Sequence, residues 1–126
     1  MLTLTLVIFM AGLVSTPAQA KNNDYWISGC GKGMGKKETR LNVSYKGKRI
    51  HISGYGKKSP TFMNRSKASK LKARSFKVSS KCKVGTCGRE VSYSKFLKEN
   101  GRKGTLELLI DVHIKNNKVV YIDYGC

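Results

Sequence analysis

The sequence predicts a small, mainly β domain: a closed or partly open antiparallel barrel of the oligonucleotide/oligosaccharide-binding (OB) type with one or two short helices. Segments in which apolar and polar residues alternate recur between residues 24 and 124, which is typical of half-buried strands. Turn-forming residues separate these segments at short intervals. Closing the sheet into a barrel would remove its exposed edges, and a small open α+β sheet is the alternative.

The predicted strands form two hairpins and two single segments. Residues 24–28 are aromatic and β-prone, and Phe76 and Val78 alternate with polar residues. Residues 41–45 and 49–55 form a hairpin across a Lys46-Gly47 turn. Residues 106–114 return as 119–124 after a tight turn over 115–118, so this last hairpin should supply most of the core.

Two segments carry helix signals. Asn64 could cap a helix over residues 64–72, although an irregular basic loop fits this segment as well. Ser92 could cap a helix that contains Phe96 and Leu97 and ends at Asn100-Gly101.

Residues 1–20 have the features of a cleavable secretion signal. The apolar stretch from Met1 to Val14 is shorter than the ~20 residues that span a bilayer, and Ala18-x-Ala20 offers the small residues of a cleavage site. No Lys or Arg precedes the apolar stretch, which departs from the usual pattern. We expect a periplasmic or secreted protein whose mature part, residues 21–126, is a single domain without a transmembrane segment.

The four cysteines predict a disulfide framework, because an even number in an exported chain usually forms bridges. Of the three pairings that four cysteines allow, we expect a local Cys82–Cys87 bridge and a long-range Cys30–Cys126 bridge. A metal site with four cysteine ligands is disfavoured because only one pair has a short spacing. The sequence therefore predicts no metal site and no cofactor.

The net charge of +18 is concentrated in residues 32–103, which contain 22 basic and three acidic residues. Solubility requires a net charge of only about 2–8 in a small domain, so we expect an anionic partner. Outside the cytoplasm this could be an anionic envelope polymer, nucleic acid or an acidic protein, and peripheral contact with a membrane surface also fits. The predicted binding residues are Lys57, Lys58, Arg65, Lys67, Lys70, Lys72 and Arg74, within the basic segment 57–83, with Lys36 and Lys37 as a second patch.

Three further motifs could carry chemistry. In the basic loop 29–35 every second residue is glycine, which would let backbone N–H groups turn toward an anion, although a flexible loop beside a disulfide is the simpler interpretation. Glu107 and Asp111 share a strand face with His113, as a solvated row or as acid–base or metal candidates. The tyrosines and Trp26 could stack on bases or sugar rings if they are exposed.

We expect a binding protein rather than an enzyme. One alternative is a small secreted nuclease or toxin that uses His51 and His113 as general base and general acid. A second alternative is an accessory component of a conjugation, secretion or phage-related envelope system, in which the charge would dock an acidic protein.

Overall fold

In the computed structural model, which describes residues 23–34 and 36–125, eight strands form one sheet and one α-helix packs against it. The elements are β1 (Asp24–Cys30), a 3-10 helix (Lys37–Thr39), β2 (Leu41–Lys46), β3 (Arg49–Ser59), β4 (Ser69–Thr86), β5 (Arg89–Ser92), α1 (Tyr93–Asn100), β6 (Lys103–Thr105), β7 (Leu109–Lys115) and β8 (Lys118–Tyr124). The predicted signal segment, Gly35 and Cys126 lie outside the described residues.

Five strands close into a barrel. The sheet order is β5-β4-β8-β7-β1-β3-β2-β6, and an additional pairing of β3 with β4 joins the ring β1-β3-β4-β8-β7. The third and fifth barrel strands, β4 and β8, run parallel, and α1 lies in the connection between the third and fourth. This OB-like arrangement confirms the predicted small, mainly β barrel with a short helix.

The long strand β4 belongs to two parts of the sheet. Its first half pairs with β3, from Ser69 to Lys77. Its second half pairs in parallel with β8 and, near its end, with β5. The register with β8 shifts between Val78 and Lys83, so the intervening residues bulge from the sheet.

The core follows the alternation that the sequence predicts. In β2 the inward residues Leu41 and Val43 are fully buried, while the neighbouring Asn42 is exposed. Ile110 and Val112 of β7 are also fully buried. Burial of a side chain of this size stabilises the fold by about 1.5–3 kcal/mol, so the apolar rows on β2 and β7 are a large part of what stabilises the core.

Both predicted hairpins are confirmed. Gly47 adopts φ 55° in the two-residue connection between β2 and β3, a value that glycine reaches without steric strain. Asn116 and Asn117 adopt φ 52° and 62° between β7 and β8, as a tight hairpin turn requires. The strand predicted over 106–114 is divided, however, because Leu108 has φ 67° and β7 begins only at Leu109.

One of the two predicted helices is present. The Ser92 hydroxyl accepts a hydrogen bond from the Lys95 N–H at 3.2 Å, and α1 ends before Gly101, which has φ 90°. The helix over 64–72 is wrong: residues 60–68 form a loop and β4 begins at Ser69. A helix there would bury little more than Leu71, whereas in β4 this side chain packs against the barrel core. No helix among the described residues is long and apolar enough to cross a membrane.

The two predicted disulfides are wrong, because Cys30 and Cys82 are free thiols. Cys82 points into the core with 1 % exposure, and β4 continues through Thr86. The four residue steps along the strand from Cys82 to Thr86 span about 13 Å, whereas disulfide Cα atoms lie within about 7 Å, so Cys87 is out of reach. Cys87 is disulfide-bonded, and Cys126 lies outside the described residues.

Candidate polyanion-binding surface

Six basic residues stand next to one another across neighbouring strands, and we call them the basic row. In order across β6, β2, β3, β4, β8 and β7 they are Lys103, Lys46, Arg49, Lys77, Lys118 and Lys115. Each is the direct partner of the next in the strand register, and all are exposed. Since adjacent strands lie about 4.8 Å apart, the row extends roughly 24 Å around the barrel.

The basic row is electrostatically unfavourable for the isolated protein. Like charges directly opposite each other on a sheet are destabilising, and a favourable cross-strand pair contributes about 0.2–1 kcal/mol. The ion pairs of the described residues are Arg65–Asp111, Arg89–Glu99 and His113–Asp24, and none of them neutralises a member of the row. The repulsion within the row is therefore left for an external anion to relieve.

The middle of the row opens into a cleft of about 650 Å³ beside the β4 bulge and α1, which we call the basic cleft. Its charged lining residues are Lys48, Lys77, Lys98, Arg102 and Lys118. Three serine hydroxyls add hydrogen-bonding groups, and no acidic side chain of the described residues lines it. The volume is within the ~300–1,000 Å³ range of ligand sites.

Tyr93 fixes one wall of the basic cleft. Its hydroxyl donates to the Gly47 carbonyl at 2.5 Å, which ties α1 to the β2–β3 turn. Burial, the largest cause, raises the pKa of Tyr93 to about 12, so the hydroxyl stays protonated and keeps donating at physiological pH. The helix that carries Lys98 is therefore fixed beside the sheet, and Lys98 lines the same cleft as the basic side chains of the strands.

Three of the predicted binding residues meet in a second, smaller cationic pocket. Lys58, Lys72 and Arg74 surround a cavity of about 100 Å³ with an apolar floor. The Lys58 Nζ lies 4.2 Å from the centroid of the Tyr25 ring, and the Arg74 Cζ lies 4.6 Å from that of Phe76. Stacking on the rings orients these cations while leaving their charge unneutralised.

The other predicted residues are dispersed. Arg65 is turned inward and pairs with Asp111, whose side chain is 3 % exposed. This arginine therefore stabilises the fold and does not present its charge to an external anion. The remaining residues lie on different elements: Lys57 half-buried on β3, Lys70 exposed on β4, Lys67 exposed in loop 60–68, Lys36 exposed before the 3-10 helix, and Lys37 within that helix.

The glycine-rich loop uses its backbone internally. The Gly31 N–H donates to the Leu108 carbonyl at 2.6 Å, and the Met34 N–H donates to the Gly31 carbonyl at 3.2 Å. A Cβ at Gly29 would lie 2.7 Å from the Leu41 Cβ, so this glycine is required for close packing. Gly29 and Gly31 thus serve the fold, and Gly35 lies outside the described residues.

The structure does not bring the two histidines together. His113 on β7 is the register partner of Trp26, whose partner on β3 is Ser59. His51 is eight residues from Ser59 along β3 and pairs with Ser75. The two rings therefore do not face one phosphate.

The predicted row of Glu107, Asp111 and His113 is also divided. Asp111 is buried against Arg65, His113 pairs with Asp24, and Glu107 lies before β7 in an isolated bridge with Lys32. Among the described residues no group of three His, Cys, Asp or Glu side chains could hold a metal ion.

The sequence prediction missed most of the basic row and the basic cleft. Two pairs, Lys46–Arg49 and Lys115–Lys118, follow from the predicted hairpin turns and could have been found. The other neighbours in the row depend on strand pairings between distant segments, which hairpin turns do not determine.

No family model matches the chain, and no curated protein or solved structure matches it.

Proposed function

We propose that this protein is an exported binding protein for an anionic polymer, which it holds along the basic row and in the basic cleft. The observation that carries the proposal is the register of six exposed basic residues across six adjacent strands, none of which forms an ion pair among the described residues. Asp24 on β1 is the register partner of Lys115 at the end of the row, but its carboxylate pairs with His113. Displacement of counterions from the polymer drives such binding, so affinity should fall steeply with salt concentration.

The position of the row on the barrel supports the proposal. In OB-type barrels the face of the second and third strands binds oligonucleotides and oligosaccharides. The corresponding strands here are β3 and β4, which carry Arg49 and Lys77 at the centre of the row. A linear polymer suits this surface better than a compact anion because the cations are spread over about 24 Å.

Titration with inorganic polyphosphate at two salt concentrations tests the proposal. We expect binding at about 50 mM salt that weakens at least 10-fold at about 200 mM. The double variant Arg49→Gln/Lys77→Gln should lose about 10-fold in affinity at the lower salt concentration.

The matched control is Lys32→Gln/Lys67→Gln, which removes the same charge from two exposed residues outside the row and the cleft. We expect it to lose less than about 3-fold. Equal losses in the two double variants would show that net charge, and not the row, attracts the polymer. Salt-independent binding, or no binding at all, would refute the proposal.

A further inference from the structure

An aromatic patch adjoins one end of the basic row. Trp26, His113 and Tyr121 are neighbours in register on β1, β7 and β8, and Phe62 from loop 60–68 packs on Trp26 with ring centroids 4.7 Å apart. These four rings, the aromatic patch, line an open cavity of about 570 Å³ together with Asp123. Phe62 is 45 % exposed, so the patch presents apolar ring surface to solvent.

Specific contacts hold the rings in place. The His113 ring lies parallel to Trp26, with centroids 4.5 Å apart and an interplanar angle of 9°. The His113 Nε2 is 2.7 Å from the Asp24 Oδ1, which fixes the imidazole. The Tyr121 hydroxyl donates to the Glu90 carboxylate at 3.0 Å. The patch is therefore ordered before any ligand arrives, which lowers the entropic cost of binding.

The lining of this cavity differs from the rest of the surface. The chain contains 25 Lys and Arg residues, yet among the described residues none of them lines the cavity, whereas the Asp123 carboxylate does. A phosphate group has no cation to meet there. A planar, uncharged ring with N–H groups fits, because it can stack on the aromatic side chains and donate to the carboxylate.

The distance between patch and row matches the dimensions of a nucleotide. His113 lies two residues from Lys115 along β7, on the same outward face, a separation of about 7 Å. This is comparable with the reach from a phosphate to the base that it carries. On β8, Tyr121 and Lys118 are the register partners of His113 and Lys115, and the register shift between them lets both lie on the same outward face.

We propose that the anionic polymer is a single-stranded nucleic acid, whose phosphates follow the basic row while an unpaired base stacks on the aromatic patch. This inference rests on the proposed function and adds the class of polymer to it. Stacking of bases on aromatic side chains is tolerant of sequence, and the Asp123 carboxylate favours bases that carry an exocyclic amine.

Trp26 makes a direct test available, because it is the single tryptophan of the chain. Three ligands of matched length are compared: an oligodeoxycytidine, an abasic oligonucleotide and inorganic polyphosphate. We expect all three to bind, but only the oligodeoxycytidine to quench Trp26 fluorescence saturably. Its affinity, measured independently with labelled ligand, should exceed that of the abasic strand at least about 5-fold.

Phe62 and Met63 form a matched pair of variants, since both are exposed, at 45 % and 53 %, in the same loop. Neither Phe62→Ala nor Met63→Ala should disturb folding, which circular dichroism verifies. We expect Phe62→Ala to lower the affinity for the oligodeoxycytidine about 5-fold and to leave the affinity for polyphosphate unchanged. Met63→Ala should change the affinity for neither ligand.

The outcomes separate the two proposals. Equal affinity for the abasic and base-containing strands, or an unchanged affinity of Phe62→Ala for oligodeoxycytidine, would refute base stacking and leave polyanion binding intact. Failure of all three ligands to bind would refute the proposed function and the stacking inference together.

Discussion

At the scale of single residues, the pair of Arg65 and Asp111 shows how a basic side chain can be structural. The Arg65 Nη2 donates to the Asp111 Oδ2, and its Nε donates to the Gly29 carbonyl at 3.4 Å. The other Asp111 oxygen and the Ser28 hydroxyl are buried without a hydrogen-bond partner in the described residues. Arg65 is thus the principal partner of a buried carboxylate and anchors loop 60–68 to the barrel.

Replacement of Arg65 by alanine should therefore lower stability. Removing one partner of a buried ion pair leaves an uncompensated charge, so we expect Arg65→Ala to reduce the free energy of unfolding by about 3 kcal/mol. Urea denaturation measures this change. The control Lys67→Ala alters an exposed residue of the same loop and should change stability by less than about 0.5 kcal/mol. Equal stability of the two variants would contradict a structural role for Arg65.

The thiol of Cys82 should be unreactive in the folded protein. Burial raises the pKa of Cys82 to about 12, so almost no thiolate, the reactive form, is present at pH 8. We expect iodoacetamide to modify Cys82 roughly 100-fold more slowly in the folded than in the urea-unfolded chain, as followed by peptide mass spectrometry. Half-buried Cys30 is the internal comparison. Equal rates for Cys82 in both states would contradict its burial.

At the scale of elements, the basic row favours the binding of an anion but lowers the stability of the free protein. Lys77 of β4 lies between Arg49 on β3 and Lys118 on β8, so its ammonium group has a cation on each side. A surface arranged only for stability would place an acid at this position.

Neutralisation of Lys77 should stabilise the free protein. We expect Lys77→Gln to raise the free energy of unfolding by about 0.5 kcal/mol at low salt, because two repulsive cross-strand contacts are removed. This gain in the free energy of unfolding should disappear at about 1 M salt. Urea denaturation at low and at high salt measures it. Lys81→Gln, in the β4 bulge and without a registered partner on β8, should show a smaller gain. A loss of stability in Lys77→Gln would contradict repulsion within the row.

The elements also show how far sequence reasoning reaches. The two hairpins and the capped helix were predictable because their signals are local: Gly47, the Asn116-Asn117 pair and the Ser92 cap each act within a few residues. The helix predicted over 64–72 is wrong because tertiary packing of Leu71 in β4 outweighs a weak local cap. The predicted Cys82–Cys87 bridge assumed a turn where β4 remains extended.

The candidate site was harder to predict than the fold. Charge counting located the basic segment 57–83 but could not show which of its cations share a surface. Strand order decides this, since β4 brings Lys77 beside Lys118 from a segment about forty residues away. The same order separates His51 from His113, and the contact with buried Asp111 turns Arg65 inward.

At the scale of the whole molecule, the net charge of +18 should make thermal stability dependent on salt. Folding brings the cations closer together, and dissolved ions screen their repulsion within about 10 Å at 0.1 M salt. We expect the melting temperature to rise by a few degrees between about 10 and 150 mM NaCl, as measured by circular dichroism.

The stabilisation that polyphosphate gives should decrease with salt, whereas the melting temperature of the free protein should increase. A ligand that binds the folded state raises its melting temperature, and here binding weakens as salt increases. Stabilisation by polyphosphate should therefore be largest at low salt and vanish near 1 M. A melting temperature that changes with neither salt nor polyphosphate would contradict the electrostatic description of the molecule.

The parallel contact between β4 and β8 also has a consequence for biosynthesis. Until the final strand has been made, the second half of β4 has no partner on the side that β8 will cover. An unpaired strand edge is a template for aggregation, and lysines along such an edge are a common protection. Lys77, Lys81 and Lys83 lie on this stretch of β4. Lys77, which would hold a polymer in the finished barrel, would thus also act with Lys81 and Lys83 to keep unfinished chains apart.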